Sequence, residues 1–373
     1  MTQLTHGGDW AGYRAQYGQD ALDFSANVSP LGLPQGVANA IAAALPHADR
    51  YPDPLCRALR AKLAPHEGIP AESILCGNGA ADLIFRLAWA AKPRTALVTA
   101  PTFAEYAAAL ESAGCAVRRH FLQAKVDFAV TDSILSFITP EVDMVFLCQP
   151  NNPTGQLTPL PLVERILRRC EACGALLVVD ECFLDFLPDC DALTAKALLD
   201  SKNLLILKAF TKLYGMAGAR MGYLMSNNEI IEYLQRDSTG FCCSRMGLHA
   251  AEAALDDVEF QEMTKKGNQE GREILVSCMK ELGFRVWPSH TNFIYFDPGV
   301  DVKWFADRLL DYGIIIRGNF KANRISIGTP EEDRFVCKAM REIMAYLRRQ
   351  NELEDATDLV IGNYVYEKVS EGS

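Results

Sequence analysis

A lysine that reacts as a nucleophile needs a site that strips water from its ammonium, with an acid and anion-holding donors close by. Lys212, in AFTKLYGMAGARMG, has that setting within reach: Arg220 follows eight residues on. Asp180 ends LLVVD, so a carboxylate stands at the tip of an apolar run. Asn152 lies in QPNNPTG (149–155), directly after the apolar MVFLC. In CGNGAADLI (76–84), Gly77 and Gly79 free the backbone before Ala80 and Ala81, whose amides would open a helix and offer a phosphate site. Taken singly, each has a commonplace reading: a solvated lysine, a helix-capping aspartate, an Asn-Pro turn, a glycine turn. Taken in order, they supply a nucleophile, an acid, an amide and an anion cradle.

What must position them is an alternation of short apolar runs and helical patterns. TALVTA (95–100), MVFLC (144–148), LLVVD (176–180) and LLILK (204–208) read as strands, with helices near 82–91, 103–113 and 158–172 between them. Runs that are apolar on both faces predict an α/β fold, a mainly parallel central sheet covered by helices. Such sheets bind ligands at the carboxyl ends of their strands, where all four segments fall. The pattern then changes to a smaller α+β unit: a helix near 258–282, NFIYF (292–296), a helix near 302–311, and strands at 314–316 and 325–327. Thr329, Pro330 and Glu332 predict the start of a last helix, with Phe335, Ala339, Met340, Ile343 and Leu347 on its apolar face. The expected organisation is an N-terminal segment, 1–45, packing with the small domain. A large α/β domain, 46–255, a small domain, 256–350, and an aperiodic acidic tail, 351–373, complete it.

The 373 residues carry 37 Lys+Arg against 47 Asp+Glu, a net charge of −10. That balance excludes a nucleic-acid backbone binder, whose footprint is basic. Composition is that of an ordinary globular chain, 49% hydrophobic and 23% charged. No apolar run reaches membrane-span length, and no basic segment followed by an apolar one opens the chain, so a cytoplasmic location is expected. The twelve cysteines are then expected as thiols. Cys170 and Cys173 form a lone CxxC with no second ligand pair, and Cys242-Cys243 stand adjacent; no metal site is expected.

NNPTG, the D-E-x-F strand end, and T-K followed by G-x-R-x-G, in that order, resemble the fold-type I pyridoxal-phosphate enzymes over residues 6 to 348. The resemblance implies pyridoxal 5′-phosphate as cofactor, bound covalently by Lys212, with Asp180 pairing the ring nitrogen and Asn152 donating to the ring oxygen. Arg220, Thr211 and the amides of Ala80 and Ala81 would hold its phosphate, and Phe103, in PTFAEY, would stack on the ring. Tyr51, in RYPDP, would reach the phosphate of a second subunit, which implies a homodimer with shared active sites.

Within that family HGGDW and LDFSANVSPLGLP (22–34) resemble the opening of threonine-phosphate decarboxylases. Phe183 stands where most aminotransferases carry a tyrosine. The resemblance implies that His6, with the Gly7 and Gly8 amides, and Arg317 meet a substrate phosphate, and that Arg324 and Asn27 meet its carboxylate. The expected reaction is decarboxylation of L-threonine O-3-phosphate, a phosphorylated amino acid, to (R)-1-aminopropan-2-yl phosphate in cobamide synthesis. Serine phosphate, which would give ethanolamine phosphate, is a further candidate substrate. A histidinol-phosphate aminotransferase and a non-catalytic cofactor-binding homologue are the alternatives. Three departures fall near the site: Ala209 where a hydroxyl is common, Gly328 where an arginine is expected, and Ser244-Arg245 in place of Ser-x-Asn.

Overall fold

The computed structural model describes residues 7–236, 240–318 and 320–357. After a short strand β1 (Leu22–Asp23), seven strands make the central sheet: β2 (Ile74–Gly77), β3 (Thr95–Ala100), β4 (Ala116–Phe121), β5 (Met144–Cys148), β6 (Leu176–Asp180), β7 (Leu204–Ala209) and β8 (Gly222–Ser226). Their order is β2-β8-β7-β6-β5-β3-β4. Only β8 runs against the others; its register sets Gly222 opposite both Gly77 and Ala209. The start of β8 therefore shares an edge with the carboxyl ends of its six companions.

Helices follow in chain order as α1 (Trp10–Tyr17), α2 (Gln35–Ala44), α3 (Arg57–Glu67), α4 (Ala80–Ala91), α5 (Ala104–Ser112), α6 (Leu160–Cys173), the single turn α7 (Cys190–Leu193), α8 (Asn228–Arg236) and α9 (Arg245–Asp256). One sheet face, with Leu97, Val145, Leu177 and Ile206, packs on α3, α6 and α9. The other, with Val98, Phe146, Val178 and Leu207, packs on α4, α5 and α8. A strand buried on both faces cannot alternate apolar with polar, which is why these strands read as unbroken apolar runs.

The smaller unit combines α10 (Val258–Glu281), β9 (Arg285–Val286), β10 (Phe293–Asp297), α11 (Val302–Leu310), β11 (Ile314–Ile315), β12 (Asn323–Ser326) and α12 (Pro330–Thr357). Its antiparallel sheet, β12-β10-β9, shares a core with the inner faces of these helices. The capping box forms as the sequence predicts: the Thr329 amide donates to Glu332 Oε2 at 2.8 Å, and the Glu332 amide to Thr329 Oγ1 at 3.3 Å.

Two boundaries shift. The N-terminal segment divides: β1 pairs in parallel with β11 and Phe24 enters the small core, whereas Val37 of α2 enters the large core against α9. The apolar stripe of α2 is long enough to need a helical partner, and α9 supplies it. The tail also starts later, because α12 continues through Thr357 where an aperiodic stretch is expected from 351; good helix formers such as Glu, Leu and Ala let the last helix run on. Residues 358–373 lie outside the described ones.

Candidate active site

The carboxyl edge of the sheet opens on a cavity of about 660 Å³, bordered by Ala80, Ala81, Phe103, Asn152, Asp180, Thr211, Lys212 and Arg220. Gly7, Gly8, Asn27, Arg317 and Arg324 close it from the N-terminal segment and the small unit. Thus, of the residues assigned in the sequence to the cofactor or substrate, all but His6 and Tyr51 border this cavity. His6 lies outside the described residues. Tyr51 stands elsewhere, 78% exposed, its ring 4.6 Å from that of Phe241. Its carbonyl accepts from Arg245 Nη2 at 2.8 Å, beside a second cavity that Ser244 and Arg245 line.

Asp180 ends β6 with its carboxylate buried. Tyr106 Oη–H donates to its Oδ2 at 2.6 Å, and the Cys182 amide to its Oδ1 at 3.0 Å. Burial and the Asp180 charge hold the Tyr106 phenol well above its ordinary range, so it stays a donor. Tyr106 escapes the sequence reading, although it sits one turn beyond Phe103 on the buried face of α5, the spacing at which helical neighbours meet.

Lys212 follows β7, and its Nζ donates to the Ala26 carbonyl at 2.8 Å. Burial, and then the charges of Arg324 and Arg220, pull its ammonium down to about 8. The Phe183 ring lies below, its centroid 5.6 Å from Nζ.

The anion cradle is built from close approaches. Gly79 has φ 84°, and a Cβ there would stand 2.6 Å from Arg220 Nη2. A Cβ on Gly222 would stand 2.8 Å from the Ala80 amide nitrogen. The twelve-residue α4 begins without a side-chain cap, leaving its first amides and positive dipole end toward the guanidinium of Arg220. Ala209 and Thr211 also line the cavity.

Opposite, Arg324 is buried on β12; its Nη1 donates to Asn152 Oδ1 and its Nη2 to the Ser25 carbonyl, both at 2.6 Å. Arg317 pairs with it backbone to backbone, amide to carbonyl at 3.0 Å in each direction, so the two buried guanidiniums stand side by side. Burial and Arg317 lower the Arg324 guanidinium from its usual range, yet arginine remains charged at physiological pH. Asn27, at φ 56°, accepts through Oδ1 from Ser326 Oγ at 2.8 Å and through its carbonyl from Asn292 at 2.9 Å, fastening this wall. A Cβ on Gly7 would collide with the Ser25 carbonyl at 2.3 Å.

One expectation changes here. The Gly8 amide donates to Ser25 Oγ at 2.8 Å rather than opening onto the cavity as a substrate donor. Gly328 is likewise accounted for: a Cβ would meet Phe24 at 2.8 Å, leaving no space for an arginine. Ser244 caps α9, its Oγ accepting from the Gly247 amide at 3.0 Å.

Four cations, Lys212, Arg220, Arg317 and Arg324, thus line one cavity of a chain whose net charge is −10. That concentrates a positive field on ligands carrying two anionic groups. A phosphorylated ring fits the other half: an uncapped helix end for the phosphate, Phe103 for the ring, Asp180 for a ring nitrogen, and an amine held near neutrality. Among the described residues no group of His, Cys, Asp or Glu could hold a metal, and no helix is long and apolar enough to cross a membrane. Cys170 is buried in the core beside Cys173, whose Sγ donates to the Ile138 carbonyl at 3.5 Å.

A family model, aminotransferase class I and II, matches residues 19–340. A threonine-phosphate decarboxylase of Salmonella typhimurium is 33% identical over 332 residues, covering 87% of this chain and 91% of that protein. A histidinol-phosphate aminotransferase of Methanococcus aeolicus is 30% identical over 339 residues, covering 87% and 90%. Among solved structures, a histidinol-phosphate aminotransferase from Sinorhizobium meliloti, in complex with pyridoxal 5′-phosphate, superposes with a TM-score of 0.83 at 27% identity, covering 92% of this chain and 96% of that one.

Proposed function

Because this chain belongs to the aminotransferase class I and II family, we propose that it is a cytoplasmic, homodimeric member that decarboxylates L-threonine O-3-phosphate to (R)-1-aminopropan-2-yl phosphate for cobamide synthesis and also takes L-serine O-phosphate. Its cofactor is pyridoxal 5′-phosphate. The observation that carries the reading is the buried pair Arg317 and Arg324 at the cavity end opposite α4. Two guanidiniums suit a small molecule with a carboxylate and a phosphate a few bonds apart. Histidinol phosphate has only the phosphate.

The chemistry that the cofactor supplies when bound is an electron sink for the bond that breaks at the substrate α-carbon. The rest falls to the chain. Asp180, oriented by Tyr106 Oη–H and the Cys182 amide, would pair with the ring nitrogen. Ala80, Ala81, Thr211 and Arg220, which line the cavity, would hold the cofactor phosphate, Phe103 would cover the ring and Asn152 would meet its oxygen. Arg324 and Asn27 fix the carboxylate, and Arg317 the substrate phosphate, so the carboxylate bond to Cα is the one aligned to break. Lys212, which lines the cavity, would be the group that delivers a proton to Cα.

Three results are expected. Threonine phosphate or serine phosphate releases CO2 without consuming a keto acid, measured by CO2 trapping and amine analysis. Histidinol phosphate with 2-oxoglutarate yields little glutamate; rapid glutamate formation with no CO2 from either phosphoamino acid overturns the reading in favour of the aminotransferase.

The second concerns pH. A lysine that binds an aldehyde must be neutral, and Lys212 titrates at about 8 rather than near the ordinary 10.5. Capture of added pyridoxal 5′-phosphate by the apoprotein should therefore accelerate as pH rises through about 8 and level off above it. Stopped-flow absorbance reads this directly; a rate still climbing tenfold per unit between pH 9 and 10 would place the amine elsewhere.

The third concerns the dimer. If Tyr51 completes the partner's site, Tyr51→Ala and Lys212→Ala proteins, each inactive alone, should on mixing recover about a quarter of wild-type activity, since half the dimers carry one intact site. A fully active monomer by sedimentation refutes sharing.

A further inference from the structure

Four thiols from three distant stretches of chain gather beside the edge strand β2. Cys76 lies on β2, Cys56 immediately precedes α3, and Cys242 and Cys243 occupy the turn before α9. Cys56, Cys76 and Cys243 are buried in the large core, while Cys242 is half-buried against it. Cys242 Sγ lies 3.7 Å from Cys243 Sγ. The Arg86 guanidinium, on α4 and paired with Asp82 at 2.8 Å, sets a positive charge near Cys242. The Cys243 thiol and then Arg86 hold Cys242 down at about 6. Thiols of Cys243 and Cys76 likewise hold Cys56 below the usual thiol range. A cysteine with a cation, a thiol donor and a path to solvent meets the conditions for reactivity that buried cysteines such as Cys170 and Cys278 do not.

We propose that this cluster is an oxidation site, at which a hydroperoxide attacks at Cys242 and the oxidation is passed inward to a Cys56–Cys243 disulfide. The Cys242 thiolate takes the distal oxygen of the peroxide, breaking the O–O bond and releasing hydroxide (an alkoxide from an alkyl peroxide). Cys243 then attacks the sulfenic sulfur and water leaves. The resulting bridge joins neighbours whose Cα atoms are about 3.8 Å apart, shorter than the usual disulfide span of about 4.4–6.8 Å, and is strained and easily exchanged. The Cys56 thiolate attacks the Cys243 sulfur and expels Cys242 as a thiolate. Overall two thiols and one peroxide give one disulfide and two waters, and Cys242 is regenerated.

The bridge would tie the residue that starts α3 to the turn that starts α9. Those two loops also carry the Tyr51–Phe241 ring contact and the bond from Arg245 to the Tyr51 carbonyl. Oxidation would therefore fix the loop bearing Tyr51.

The test uses the full-length holoenzyme and hydrogen peroxide at a few-fold excess, followed by alkylation of remaining thiols and peptide mapping with and without reduction. A linked pair containing Cys56 and Cys243 is expected, with Cys170 and Cys278 alkylated. Cys242→Ser should slow its formation at least tenfold, and Cys56→Ser should leave a dimedone-reactive sulfenic acid or a Cys242–Cys243 bridge. Retained cofactor absorbance confirms that each variant folds. Oxidation of Cys242 to sulfinic acid while Cys56 and Cys243 stay alkylated overturns the proposal, as does a Cys56–Cys243 link that forms equally fast in Cys242→Ser. None of these readouts depends on the substrate, so they stand or fall separately from the decarboxylase reading.

Discussion

Lys212→Ala should give a folded protein in which borohydride fixes no cofactor and turnover falls by at least about 10³-fold, the combined loss of a covalent anchor and a proton donor. The fold should survive, because the substitution removes one hydrogen bond to the Ala26 carbonyl, worth about 1 kcal/mol. Lys208 is the instructive control. It is four residues earlier and buried, but Asp185 at 2.6 Å and Glu67 at 3.7 Å outweigh the burial and hold it charged. Lys212 has cations for neighbours instead, and is pulled toward neutrality. On the proposed reading, one of these lysines is a counter-ion and the other the nucleophile. Mass spectrometry of the reduced wild-type protein should place the cofactor mass on the peptide of Lys212; finding it on Lys208 would sink the assignment.

That contrast was legible only in part beforehand. The edge that carries the site could be read because the central parallel strands are short and apolar and residues of different character close or follow them, Asp180 at the end of β6 and Asn152 in the turn after β5. Arg220 could be read from its spacing, but the reason it reaches the same edge is that β8 runs backward, and nothing in GYLMS declares a direction. The edge strand β4, AVRRHF, is mostly exposed and polar, so its membership of the sheet comes from pairing with β3 and not from periodicity. What stayed hidden were contacts between residues far apart in sequence. Tyr106 reaches Asp180 across 74 positions, and Arg324 reaches Asn152 across 172. Both are set by how helices and domains pack, which a local pattern does not encode. The Gly8 amide, which the resemblance assigned to the substrate phosphate, donates to Ser25, another contact that the local sequence does not encode.

Arg324→Met should lower kcat/KM for threonine phosphate by about 10²–10³-fold while the cofactor still binds, since a desolvated charge contact of this kind is worth about 2–5 kcal/mol. The arginine is placed by both prongs of its guanidinium, Nη1 on Asn152 Oδ1 and Nη2 on the Ser25 carbonyl. Arg324→Lys keeps the charge but has one ammonium for two acceptors 127 positions apart in the chain, Ser25 and Asn152, and should remain at least about tenfold impaired. If Arg324 were only structural, the lysine variant would recover with the fold and KM would be unmoved. The two variants also probe reaction choice. Which bond at Cα breaks would depend on how the chain holds the substrate, and a substrate whose carboxylate is no longer gripped can present its Cα–H bond for cleavage instead. CO2 released per phosphoamino acid consumed should therefore fall in Arg324→Met more than in Arg324→Lys, with keto product making up the difference when 2-oxoglutarate is supplied to take the amino group. An unchanged ratio in both would mean that something other than this arginine orients the carboxylate, and would leave Asn27, already fastened to Ser326 at the same wall, as the group to test next.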